Sequence, residues 1–230
     1  MESFVNYNKK NFNANSLAQL TSQVIQFVVA LDVSPSIRPF QDNMNTALRD
    51  VFMQELKNSH RKDDIVIKGI TFNESVEHKS GFMPITSLAD DYLEVEGTGH
   101  ATALYDAVLE SLNHVKEYRI DLEDQGIDVR TSITIITDGR DNASSPDAAG
   151  KIKSFVNDLR ANEAWASSFT ITMIGVGDEV YFKEACVDMG LDPAKCLVTI
   201  GATAKEIRQI MGVVSQSVSS SSNAGAAVSF

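Results

Sequence analysis

Cysteine is nearly absent. Cys186 and Cys196 are the only two in 230 residues, too few for a disulfide scaffold, so a reduced, cytoplasmic protein without a disulfide is expected. Positive charge is also in short supply. Twenty Lys and Arg stand against 31 Asp and Glu, a formal net charge of −11. Nucleic acids and anionic membrane surfaces reward clustered positive charge, so neither is an expected partner. An acidic surface suits solubility and cations instead. No run reaches the eighteen or so apolar residues of a membrane span, and the Asn-rich start lacks the apolar core of a secretory signal. Phosphate loops of the G-x-x-x-x-G-K-[ST] kind are missing, and so is a G-x-S-x-G nucleophile elbow. Gly175-Val176-Gly177 lacks the third glycine of a dinucleotide fingerprint.

What is there reads as a globular domain. Apolar residues make up 43% of the chain and charged ones 22%, enough to bury a substantial core. An apolar, β-branched run starts near Val24 and passes through Val28-Val29-Ala30-Leu31; a run of this kind reads as a strand buried on both faces. Further strands are predicted over 63–72, 131–137, 169–176 and 196–200, with a hairpin-like segment near 77–82. Helical spacing joins Phe40, Met44, Leu48, Phe52 and Leu56, and again Leu104, Ala107, Val108, Leu112 and Val115. Two more helices are expected near 147–161 and 204–217, and a shorter one at 180–189. Strands alternating with helices imply a doubly wound α/β fold, with a mostly parallel sheet, one antiparallel edge strand and helices on both faces. The expected organisation is a loose N-terminal arm over 1–22, one domain over 23–217 and a flexible, Ser/Ala-rich tail over 218–230. Phe4, Tyr7 and Phe12 offer the arm an alternative, docking onto the domain or a partner.

The chemistry gathers where these strands end. Ligands of open α/β sheets collect beyond the carboxyl ends of the strands. There the first strand gives way to Asp32, Ser34 and Ser36, and the strand over 131–137 leads into Asp138-Gly139. Thr102 precedes a helical pattern in Gly99-His100-Ala101-Thr102-Ala103-Leu104-Tyr105-Asp106-Ala107. Each hydroxyl alone suits a cap or turn, and each acid a solvated loop. Taken jointly they form an all-oxygen set, the kind that hard divalent cations select. His100 is close by, but such a site has no need of imidazole. His60, His78 and His114 look scattered, and Trp165 reads as packing.

In this order, D-x-S-x-S, G…T-x-L-Y-D-A and T-D-G resemble the von Willebrand factor type A (vWA) domain over residues 24 to 216. The resemblance implies a Rossmann-like fold and a metal-ion-dependent adhesion site made by Asp32, Ser34, Ser36, Thr102 and Asp138. In the family the serines and threonine tend to bind the ion directly, and the aspartates often act through water. It also implies Mg²⁺ (or Mn²⁺ or Ca²⁺) and a protein partner whose Asp or Glu completes the coordination. The T-D-G-x-D-N-A-S run is similar to bacterial cytoplasmic members, including those encoded with tellurite-resistance and related stress systems. A non-enzymatic scaffold is therefore expected. The rival reading is a Mg²⁺-dependent hydrolase on the haloacid-dehalogenase plan. That plan wants an acid/base carboxylate two residues after the nucleophile, where this chain has Ser34. Arg38 and Arg140 read as solvated, and Asp106 as structural. Asp90, Asp91, Glu94 and Glu96 crowd the approach to Thr102, where they could repel an acidic partner, hold a second cation or dock into another protomer.

Overall fold

The chain's central strand is the apolar run that ends in Asp32. The computed structural model describes residues 10–177 and 179–220. Along them run α1 (Ala14–Ala18), β1 (Gln23–Asp32), a 3-10 turn (Pro35–Phe40), α2 (Gln41–Ala47), a π-helical stretch (Leu48–Met53), α3 (Gln54–Asn58), β2 (Ile65–Phe72), β3 (Val76–His78), β4 (Met83–Pro84) and α4 (Leu104–Glu123). Then come β5 (Asp128–Thr137), α5 (Ala148–Ala161), α6 (Glu163–Ala166), β6 (Phe169–Val176), α7 (Glu179–Asp188), α8 (Pro193–Cys196), β7 (Leu197–Ile200) and α9 (Ala204–Ser220).

The sheet order is β3-β2-β1-β5-β6-β7. Neighbours from β2 through β7 pair in parallel. Two short antiparallel pieces share the free edge of β2: β3 lies against Ile70–Phe72 and β4 against Val66 and Ile67. The reason β1 reads as an unbroken apolar run is now plain. Val24, Val28 and Ala30 face one core; Ile25, Phe27, Val29 and Leu31 face the other. Helices α4, α5 and α7 cover the first face, through side chains such as Leu112, Ile152 and Phe182. The helical stretch from α2 to α3 and α9 cover the second, through Met44, Phe52, Leu56, Ile207 and Met211. Each such fully buried side chain contributes about 1.5–3 kcal/mol of transfer free energy.

α4 carries its apolar stripe at three- and four-residue spacing and stops where Gly126 turns to φ +77°. There Gly126 N–H donates to Glu123 O and Ile127 N–H to Leu122 O, the paired bonds of a left-handed C-terminal cap. Its inner face also carries Arg119, which donates to Glu123, Thr131 and Ser168 and lies 4.7 Å from the Trp165 ring centre. Gln26, buried in β1, donates to Val115 O and accepts from Thr131. These polar groups are tolerated inside because they are paired.

The described part of the N-terminal segment is docked, where a loose arm was expected. Phe12 N–H donates to Phe82 O at 2.7 Å, Phe82 N–H to Asn11 Oδ1 at 3.0 Å, and Tyr118 OH to Phe12 O at 2.8 Å. Leu17 is fully buried in the α4 face, so a few apolar anchors and backbone bonds outweigh the turn-forming asparagines. Phe4 and Tyr7 lie outside the described residues, as does the tail beyond residue 220. The Cys186 and Cys196 thiols are buried, with their sulfurs 3.5 Å apart. No described helix is long and apolar enough to cross a membrane.

Candidate metal centre

From β1 the chain crosses to β2 on one side of the sheet, and later to β5 on the other. The crevice between the carboxyl ends of β1 and β5 is therefore a topological switch point. Asp32 ends β1, and Asp138 follows the last residue of β5. The two aspartates are joined by a chain of hydrogen bonds. Ser34 N–H donates to Asp32 Oδ1 at 2.8 Å, the Ser34 and Ser36 hydroxyls meet at 2.9 Å, and Ser36 Oγ donates to Asp138 Oδ1 at 2.8 Å. Thr137 Oγ1 donates to the other Asp32 oxygen at 2.6 Å.

Thr102 completes the cluster from a third loop. A Cβ on Gly139 would lie 3.3 Å from Thr102 Oγ1 and 3.7 Å from Asp32 Oδ2; the bare glycine keeps the space between these oxygens open. The Thr102 loop is held by the segment after β5. Asn142 Oδ1 accepts from Thr102 N–H at 2.7 Å, and the N–H groups of Asn142 and Ala143 return bonds to Thr102 O. Ala103, at the α4 N-terminus, has no capping side chain. The unpaired N–H groups of that first turn, which any helix start exposes, go instead to Asp141 from Tyr105 and to Ser144 from Asp106. Asp106 accepts from Ser145 in return, the structural role expected for it. The nearby Thr98 sits apart from this cluster, its hydroxyl accepting from Asn73 at 3.4 Å.

Asp32, Ser34 and Thr102 are buried, Asp138 is half-buried and Ser36 is exposed. Burial pushes Asp32 above the usual carboxylate range despite its bonds from Thr137 and Ser34. Asp138 is pushed up to about 6, first by burial and then by the neighbouring Asp32 charge, against the bond from Ser36. Among the described residues neither acid forms an ion pair. A buried and a half-buried carboxylate lacking a counter-charge, edged by hydroxyls, are what a bound divalent cation would neutralise. The donor set is oxygen throughout, and it fits a hard divalent cation.

The surrounding charges are engaged elsewhere. Arg140 lies 4.4 Å from the Tyr181 ring centre and 3.4 Å from Glu184, and Arg38 donates to Gly97 O. Asp90 pairs with Lys57, and Glu94 with Arg49. His100 is exposed and sits beside Glu74. Thr137, Gly139 and Asn142 stand in the T-D-G-x-D-N-A-S run, but their contacts with Asp32 and Thr102 are visible only in the fold.

No family model matches the sequence, and no curated protein matches it. Solved structures do resemble it. A von Willebrand factor type A protein from Catenulispora acidiphila superposes with TM-score 0.58 at 13% identity, covering 86% of this chain and 43% of that one. The fold is that of a vWA domain. BatB from Bacteroides thetaiotaomicron gives TM-score 0.58 at 14% identity, covering 87% of this chain and 100% of that one. Proximal thread matrix protein 1 from the mussel byssus, solved with a zinc-occupied MIDAS motif, gives TM-score 0.58 at 16% identity over 86% of this chain and 46% of its own. The chain thus spans less than half the length of the first and third of these proteins. What it shares with them is the fold.

Proposed function

We propose that this chain is a metal-dependent protein-interaction module rather than an enzyme. Asp32, Ser34, Ser36, Thr102 and Asp138 would hold one divalent cation, Mg²⁺ before Mn²⁺ or Ca²⁺, and a partner protein's Asp or Glu would complete its coordination. The supporting observation is the uncompensated pair of acids at the β1/β5 switch point, linked through Ser34 and Ser36. When bound, the ion supplies an electrophilic position for an incoming carboxylate. The protein does the rest. Thr137 fixes one Asp32 oxygen, Ser34 N–H fixes the other, and Asn142 holds the backbone of Thr102. Preorganisation of this kind lowers the ordering cost of capturing a partner.

Against a hydrolase stands Ser34, two residues after Asp32, with its hydroxyl shared with Ser36 rather than free to act as an acid or base. The T-D-G-x-D-N-A-S run supports placement in a cytoplasmic bacterial stress system of the tellurite-resistance kind. The test is co-purification from cells with Mg²⁺ or with EDTA, comparing the native chain with Asp138→Ala. Proteins retained only by the native chain with Mg²⁺ support the reading. Chelator-insensitive retention of the same proteins by both forms contradicts it, as does Mg²⁺-dependent hydrolysis of a generic phosphate ester that Asp32→Asn abolishes.

A further inference from the structure

His78 and His114, which look unrelated in the sequence, meet at the free edge of the sheet. His78 ends β3. Glu110 and His114 project from the same face of α4, one turn apart. His78 Nε2 and Glu110 Oε2 are 2.6 Å apart, and the two imidazoles meet edge to face with ring centres 4.6 Å apart. One ligand atom from each of the three lies within 4.8 Å of the others. The side chains keep 22%, 42% and 34% of their surface exposed for His78, Glu110 and His114, so an ion could reach them from solvent.

We propose that His78, Glu110 and His114 form a second metal site, selective for a divalent transition cation such as Zn²⁺ and separate from the oxygen-lined centre. Two imidazoles and a carboxylate are a zinc ligand set with a fourth position left to water. Imidazole favours Zn²⁺, Ni²⁺ and Cu²⁺ over the Mg²⁺ and Ca²⁺ that all-oxygen sites take. Ligand atoms on a tetrahedral zinc are about 3.4 Å apart, so the His78–Glu110 contact would widen by about 0.8 Å and the longest separation would close by at most about 1.4 Å. Where His78 Nε2 donates to Glu110, binding of the ion at that nitrogen releases the proton to solvent.

Glu110 lies about 9 Å along α4 from the helix's first residue, so the site does not share ligands with Thr102. Its effect would be mechanical: a cross-link from the β3 edge to the helix whose start is tied to the Thr102 loop. Short edge strands are weakly held and exposed to unwanted pairing, and a metal clip across this one would secure it.

The test is calorimetric titration of Zn²⁺ into the metal-stripped, tag-free chain carrying Asp138→Ala, which disables the oxygen-lined centre. One equivalent should bind. Adding His114→Ala should abolish that binding. Adding Glu110→Gln, which keeps a hydrogen-bond acceptor for His78, should weaken it at least about tenfold with an unchanged circular dichroism spectrum. Co²⁺ in place of Zn²⁺ should give a visible ligand-field spectrum that His114→Ala removes. Failure of the Asp138→Ala chain to take up zinc, or equal affinity with and without His114→Ala and Glu110→Gln, would overturn the site.

Discussion

Asp138→Asn should make the metal-free protein more stable while leaving it unable to respond to Mg²⁺. Asp138 sits beside Asp32, half-buried and in no ion pair among the described residues, and its carboxyl is pushed from 3.8 up to about 6. In the ionised form that displacement corresponds to about 3 kcal/mol, of which solvent screening at a half-exposed rim leaves about 1–2 kcal/mol. The amide removes the charge and keeps an oxygen to accept the bond from Ser36 Oγ. For a chain of this size the gain is a rise in Tm of about 2–8 °C in EDTA. Thermal denaturation of both forms, with EDTA and with Mg²⁺, measures it. The native chain should gain stability with Mg²⁺ and the variant should not, the exchange of stability for function expected at a charged site. An Asp138→Asn protein that melts below the native chain in EDTA, or that Mg²⁺ still stabilises, would refute the reasoning.

The same group sets a pH dependence. Its folded pKa of about 6 lies above the ordinary value, so the metal-free fold gains stability as pH falls from about 7 toward 5 and the native state takes up the proton first. Mg²⁺ competes with that proton, so the Mg²⁺-induced rise in Tm should be full near pH 8 and fade through about pH 6; a rise unchanged at about pH 5 would contradict this. Thr137→Val removes the hydroxyl that donates to Asp32 Oδ2 at 2.6 Å and should cost about 1–3 kcal/mol in urea denaturation, together with weaker Mg²⁺ binding. Asn142→Ala takes away the acceptor for Thr102 N–H. Calorimetry should show about 10–100-fold weaker Mg²⁺ binding, and urea denaturation a loss of about 1–2 kcal/mol, because the N–H of the buried Thr102 loses its acceptor.

The double-sided burial of β1 was readable before any coordinates. A parallel strand covered by helices on both faces must be apolar at every step, and Val24 through Leu31 is so except at Gln26. The positions of Asp32 and Asp138 are legible too, because a carboxylate closing a buried strand marks the rim where such sheets bind ligands, whereas Thr102 is picked out only by the resemblance of its segment to the vWA motif. What stayed hidden depends on contacts between distant segments. Nothing local to Asn142 says that its side chain will hold Thr102, and nothing near Phe12 says that Phe82 will pair with its backbone. The antiparallel edge is legible from the hairpin-like segment near 77–82, but its division into β3 and β4 follows from the unpaired groups that β2 offers. The meeting of His78 with His114 is another such product, since only the i, i+4 half of that cluster is visible in the chain.

The central claim is that oxygens from three loops surround a single cation. Crystals soaked in Mn²⁺ test it most directly through anomalous scattering. The account predicts a peak at the β1/β5 switch point, within about 2.1 Å of Ser34 Oγ, Ser36 Oγ and Thr102 Oγ1. An empty crevice between Asp32 and Asp138 under the same soak would contradict it.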